Sequence, residues 1–291
     1  MDSQAVHIAL ASDLEGADGL AVTVFSALEL SSRPMEVWVI EDGIPPAVQA
    51  DLRSAWQKCP TFAGATFITM SQLPHAMPAH WARDGWPLTA ASRFQLGEVL
   101  PARAHRCIYL DIDILVGVDL AELFDLPLQG HPVGMALNLR MDDKVRDYLQ
   151  RIELDPATYC NSGVLLMDLD AWRQEGAAVK LIETGMRMPT SIWFFDQDML
   201  NTYFRGRTLV LEERWNFRDA GVPPTGKIQH FSGRSKPWKM TVAEAVLPGH
   251  AAWHAAKQRS GFTTPTIPAY VKWRKSVGAL VAKVQRRLVR A

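Results

Sequence analysis

Cysteine is scarce: Cys59, Cys107 and Cys160 are the only three in 291 residues. They are odd in number and far apart, which excludes a disulfide framework and the paired spacing of a zinc site, and favours a reducing compartment. Long apolar runs are also missing. No stretch approaches the roughly 18 apolar residues that a membrane-spanning helix needs. The opening MDSQAVHIALASD carries acid rather than base and lacks an apolar leader, so no signal peptide is predicted and the expected address is cytoplasmic. Acid itself disappears late in the chain. After Glu244 there is no Asp or Glu, although nine Lys and Arg follow, so a body with 22 basic and 31 acidic residues carries a basic tail.

What remains is globular in composition, with 48% hydrophobic and 21% charged residues, enough for a sizeable core. The run Val6–Ala11 reads as a strand, and apolar residues at Leu20, Val24 and Leu28 repeat at helical spacing. Val37–Ile40 and Thr66–Thr69 read as further strands around a helix at Val48–Trp56. This strand–helix alternation predicts an α/β fold with a largely parallel sheet. A helix is expected from Ala90 to Val99, then the apolar strand Cys107–Leu110, then strands at Val133–Leu137 and Val164–Met167. Residues 171–185 and 197–204 read as helices. The Pro-containing stretch 261–270 reads as a linker. Trp273, Val277, Leu280, Val281, Val284 and Leu288 then form one face of a helix whose other positions are mostly basic. The expected organisation is a body of residues 1–260 and a C-terminal extension of residues 261–291.

Two places can carry chemistry. Asp111-Ile112-Asp113 follows the apolar strand directly, and ligands of open α/β sheets bind beyond such carboxyl ends. Two carboxylates so close need a neutralising partner, and a divalent cation bridging a diphosphate is one. A solvated turn would also accommodate them. His230-Phe231-Ser232-Gly233-Arg234-Ser235-Lys236-Pro237-Trp238 offers an imidazole, a glycine that lets a phosphate approach the backbone, and a cation.

Six segments in order resemble glycosyltransferase family 8: Ala9–Asp13, Ser92–Glu98, Ile108–Val116, Tyr159–Leu166, Asp196–Asn201 and His230–Trp238. The resemblance implies a GT-A fold, a UDP-sugar donor and retention of configuration at the transferred sugar. By matching positions it implies Asp111, Asp113 and His230 as metal ligands, with Mn²⁺ the usual ion and Mg²⁺ the other candidate. It places Asp13 at the nucleotide base, Arg93 near the donor's phosphate and sugar, and Gly233 and Lys236 at the diphosphate. Asn161, Asp196 and Gln197 would surround the sugar, the last two as catalytic candidates. Bland alternatives exist for each: Asn161 capping a turn, Asp196 an N-cap, Arg93 on a helix surface, and Trp215 and Trp238 in the core rather than stacked on sugars.

The chain departs from its relatives at three points. Leu14-Glu15-Gly16 follows Asp13 where they often carry Asn and an aromatic; Asn138 stands where galactosyltransferases carry Asp; and the interval from Trp215-Asn216-Phe217 to His230 is short. Galactose and glucose are the expected sugars. The expected acceptor is lipopolysaccharide or another lipid-linked saccharide, reached by a helix at 270–291 lying on the inner face of an anionic membrane. The alternatives are that this helix docks on the protein, and that the fold binds nucleotide sugar or carbohydrate without catalysis. Nucleic-acid binding is not expected, because no aromatic–basic recognition module accompanies the tail.

Overall fold

In the computed structural model, residues 5–83, 87–189, 192–233 and 236–267 are described. The expected helix at 270–291, the end of the linker, and Arg234 and Ser235 lie outside the described residues.

Nine strands are described: β1 Val6–Asp13, β2 Met35–Asp42, β3 Phe62–Thr69, β4 Arg106–Leu110, β5 Ile114–Val116, β6 Val133–Ala136, β7 Val164–Asp168, β8 Thr208–Leu211 and β9 Ile228–His230. Seven form one sheet in the order β3-β2-β1-β4-β7-β6-β8, and β5 pairs with β9 in a separate ribbon. Most pairings in the main sheet are parallel, as the alternation of elements implied; β7 alone runs against its neighbours β4 and β6.

Because side chains alternate across a strand, β1 feeds two cores. Ile8 and Leu10 pack with Leu20, Val24 and Phe25 of the helix Ala17–Leu30 and with Trp56 of the helix Pro46–Trp56. Ala9 and Ala11 face a second core built from Phe94, Trp172, Leu181 and Phe204. Coverage on both faces explains why β1 reads as an unbroken apolar run rather than an alternating one.

Two expected helices are broken, for different reasons. The stretch Ala90–Val99 divides into Leu88–Ser92, a tighter 3₁₀ turn at Arg93–Gln95, and Leu96–Val99. The turn leaves Arg93 only 3% exposed. The stretch 171–185 divides at Gly176, whose φ of 63° ends the helix Leu169–Glu175 before Ala177–Arg187 begins. The strands β5, β8 and β9 and the helices Asp143–Arg151 and Pro248–Ser260 went unread in the sequence.

The antiparallel β7 positions the site. Its amino end, after Asn161-Ser162-Gly163, lies beside the carboxyl end of β4, with Leu110 opposite Val164 and the Asp111 N–H donating to the Gly163 carbonyl at 2.8 Å.

Candidate active site

Asp111 and Asp113 bracket the step from the main sheet to the ribbon. The Thr23 hydroxyl, reaching from the helix Ala17–Leu30, lies 3.0 and 2.7 Å from the carbonyls of Ile112 and Ile114 and pins this turn. In the ribbon Ile114 faces His230, and the Phe231 N–H donates to the Asp113 carbonyl at 2.8 Å. Strand pairing thus unites Asp111, Asp113 and His230, with ligand atoms all within 4.8 Å of one another. His230 Nε2 lies 3.3 Å from Asp113 Oδ1 and 3.8 Å from Asp111 Oδ2. Lys236 contacts the other Asp113 oxygen and donates to the Phe231 carbonyl at 3.1 Å. Burial alone would raise the Asp113 pKa, but His230 and Lys236 outweigh it and hold the carboxyl well below its usual range.

The imidazole packs directly on backbone. A Cβ on Gly163 would come within 2.3 Å of His230 Cε1, so the glycine of Asn161-Ser162-Gly163 is what lets the ring sit there. The ring's tautomer follows from a chain of amides whose polarity two backbone groups set. The Ser162 N–H can only donate, and it meets Gln197 Oε1 at 3.2 Å; the Gly163 N–H likewise meets Asn161 Oδ1 at 3.0 Å. Asn161 therefore offers its NH₂ to Gln197 Oε1 at 2.8 Å, and Asn216 offers its NH₂ to Asn161 Oδ1 at 2.7 Å. That leaves Asn216 Oδ1 to accept from His230 Nδ1 at 2.8 Å. Nδ1 therefore carries a proton, and Nε2 is the ring nitrogen turned to the two carboxylates.

Arg93 ties the carboxylates to the opposite wall. Its guanidinium donates to the Ser162 carbonyl at 2.8 Å and to Asp111 Oδ1 at 3.0 Å, lies 3.4 Å from Asp196 Oδ2, and rests 4.1 Å from the Tyr109 ring centre. Burial would lower its pKa, but Asp111 and Asp196 raise it further, so the charge is permanent. Asp196 also accepts from the Ser162 hydroxyl at 3.0 Å, and burial raises its pKa against the pull of Arg93. The surface reading of Arg93 is therefore excluded.

Asp13 ends β1, and its carboxylate accepts the Gly16 N–H at 3.1 Å. Gly233 follows His230 in a left-handed conformation, φ 100°, that side chains rarely adopt. Asn138 is buried, and its carbonyl oxygen has no hydrogen-bond partner among the described residues. Trp215 is wholly buried, so the core reading holds for it, whereas Trp238 is half-buried and packs near Trp253 with ring centres 6.2 Å apart. Sequence reasoning missed Asn216, Tyr109 and the structural part of Gly163. All three stand within or beside recognisable motifs, but only the fold shows what they touch.

The family description "Glycosyl transferase family 8" matches residues 7–241. Among curated proteins, "Probable galacturonosyltransferase-like 3" of Arabidopsis thaliana is 26% identical over 276 residues, covering 85% of this chain and 79% of the relative. "General stress protein A" of Bacillus subtilis is 23% identical over 241 residues, 76% of this chain and 82% of the relative. Among solved structures, the galactosyltransferase LgtC in complex with donor and acceptor sugar analogs aligns with a TM-score of 0.72 at 24% identity, covering 92% of this chain and 99% of that one. GlyE of Streptococcus pneumoniae aligns at 0.66 with 18% identity, 87% of this chain and 60% of that one. These likenesses give the described chain the GT-A fold.

Proposed function

The chain belongs to glycosyltransferase family 8, and from that premise we propose a retaining, divalent-metal-dependent hexosyltransferase that moves galactose or glucose from a UDP-sugar to a saccharide acceptor. The observation that carries this reading is the meeting of Asp111, Asp113 and the Nε2 edge of His230 beside Lys236. Two hard carboxylate oxygens and one imidazole nitrogen suit Mn²⁺, and Mg²⁺ less well because of the nitrogen. When bound there, the ion would offset the charge that grows on the departing diphosphate.

The protein's own groups divide the remaining work. Lys236, now spent on Asp113, would turn its charge to the diphosphate, and the left-handed backbone at Gly233 would let phosphate oxygens approach closely. Asp13 would hold the base at the end of β1. Arg93 would keep Asp111 and Asp196 at fixed separation while lying beside the donor. Asn161 and Asp196 would border the sugar, with the Asp196 carboxylate offsetting positive character at the anomeric carbon. Gln197 is the other catalytic candidate. Both lone pairs of its carbonyl are taken by Asn161 and the Ser162 N–H, so it would reach the sugar only by releasing one of them. The unpaired Asn138 oxygen is a candidate contact for a sugar hydroxyl, which would otherwise leave that oxygen unsatisfied.

For the acceptor we retain a lipid-linked saccharide such as lipopolysaccharide, reached at the cytoplasmic face of a membrane. Two features support it: the basic, one-sided apolar pattern of residues 270–291, and Val242, Val246 and Leu247, exposed by 64%, 81% and 41% beside Lys239. No helix among the described residues is long and apolar enough to cross a membrane. Sedimentation with anionic liposomes should fall when 270–291 are removed; unchanged binding would discard the attachment. The function itself is tested by a donor screen. Turnover of UDP-galactose or UDP-glucose with Mn²⁺, abolished by chelator, is the expected result. No turnover of any donor would leave a fold that binds without catalysing.

A further inference from the structure

One residue beyond Gln197, where the amide chain that orients His230 ends, Asp198 anchors a second buried network. Tyr159 donates to one oxygen of Asp198 at 2.6 Å, and Tyr148 donates to the other at 2.5 Å. Asp198 is wholly buried, and burial raises its pKa despite these donors. The same carboxylate accepts the Phe194 N–H at 3.0 Å, and the Tyr148 oxygen accepts the Trp193 N–H at 2.8 Å. These bonds clamp a short loop that reverses at Phe195, φ 43°, immediately before Asp196.

The clamp presents an aromatic side chain to solvent. Trp193 lies flat on the Tyr148 ring, with centroids 4.4 Å apart and planes 2° from parallel, yet it remains 44% exposed. Beside it Lys144, Asp147, Gln150 and Arg151 complete an open recess of about 610 Å³, within the range of small-ligand sites. The Arg151 guanidinium lies 6.0 Å from the indole centre. Three peptide steps of about 3.8 Å put the Trp193 Cα no more than about 11 Å from that of Asp196.

We propose that Trp193, Lys144, Asp147, Gln150 and Arg151 form a second carbohydrate subsite, which holds a pyranose of the acceptor glycan away from the sugar that receives the transferred group. A pyranose has an apolar C–H face and a rim of hydroxyls. An indole fixed flat, with long polar side chains around it, matches both features. A protein partner would need roughly 800 Å² of complementary surface, and here a single aromatic stands in a polar rim. The subsite rests on the glycosyltransferase reading for the identity of its ligand as acceptor, not for its ability to bind sugar.

Its test therefore reads binding without donor. Maltohexaose, chitohexaose and hexagalacturonate would be titrated into the full chain by calorimetry and saturation-transfer NMR, with wild type, W193A, W193F and K144Q compared. At least one hexasaccharide should bind wild type and transfer saturation from the indole. W193A should weaken that binding tenfold or more, W193F should recover most of it, and K144Q should fall between them. If W193A does not fold, W193F and K144Q decide the matter, and equal affinity in both and wild type overturns the subsite. Failure of all three sugars to bind wild type, or unaltered binding by W193A, also overturns it. Absence of donor turnover would remove the catalytic reading while leaving Trp193-dependent binding measurable.

Discussion

Replacing Asn216 with Ala tests the deduced His230 tautomer without touching a ligand atom. The substitution removes the acceptor of the Nδ1 proton, 2.8 Å away, and one of two donors to Asn161 Oδ1. The imidazole, 4% exposed, then holds a proton with no partner on Nδ1. An unsatisfied buried donor costs about 1–3 kcal/mol. Moving the proton to Nε2 relieves that cost but blocks the lone pair a metal needs. At about 1.4 kcal/mol per tenfold, the expected loss of Mn²⁺ affinity is about 5- to 150-fold, which agrees with the usual 10- to 100-fold effect of groups that orient metal-bound histidines. Mn²⁺ binding would be followed by calorimetry, or by electron paramagnetic resonance of the free ion, on protein verified as folded by its melting transition. Asn216→Asp provides the contrast, since a carboxylate still accepts from Nδ1 but sets an acceptor against Asn161 Oδ1; its Mn²⁺ affinity should lie between those of N216A and wild type. A folded N216A protein that binds Mn²⁺ within twofold of wild type would refute the tautomer argument.

Three further outcomes follow from the same contacts. Arg93→Met should destabilise the fold by about 3–5 kcal/mol, because it strands the buried carboxylate of Asp196 and takes from the partly exposed Asp111 its guanidinium partner; denaturant unfolding would measure this, and a loss below 1 kcal/mol would contradict it. Asp113→Asn should reduce Mn²⁺ affinity by more than the roughly 100-fold ceiling for orienting groups, read by the same titration. For Asp198, burial raises the folded pKa above the unfolded value, so the folded state binds the proton more readily and ionisation costs stability as pH rises through the folded pKa. The stability advantage of wild type over D198N should therefore be larger below the usual carboxylate range than at neutral pH, in melts compared across pH; an advantage that grows with pH would reverse the sign.

Much of this site was legible because local sequence builds half of it. An apolar strand running into Asp111-Ile112-Asp113 advertises two carboxylates at a sheet edge, and its neighbours in the family segments carry most of the remaining groups. The other half depends on pairing that leaves little local trace. β5 and β9 are three residues each, too short for a period, yet their register alone brings His230 against Asp113. Arg93 illustrates a second limit: helical spacing put it on a continuous helix, whereas the 3₁₀ turn at Arg93–Gln95 aims it inward at two carboxylates. Asn216 marks a third. Its role consists of hydrogen bonds to two residues remote in sequence, Asn161 and His230, and nothing in Trp215-Asn216-Phe217 itself distinguishes it from a loop amide.

The central claim is that Asp111, Asp113 and His230 hold a divalent cation beside a nucleotide diphosphate. A crystal structure of the protein soaked with Mn²⁺ and UDP, measured at the manganese absorption edge, tests it most directly. The account predicts one strong anomalous peak bonded to both carboxylates and to His230 Nε2, with Lys236 turned to the diphosphate. A peak held by other residues, or UDP bound in full order with no ion at these three, would contradict it.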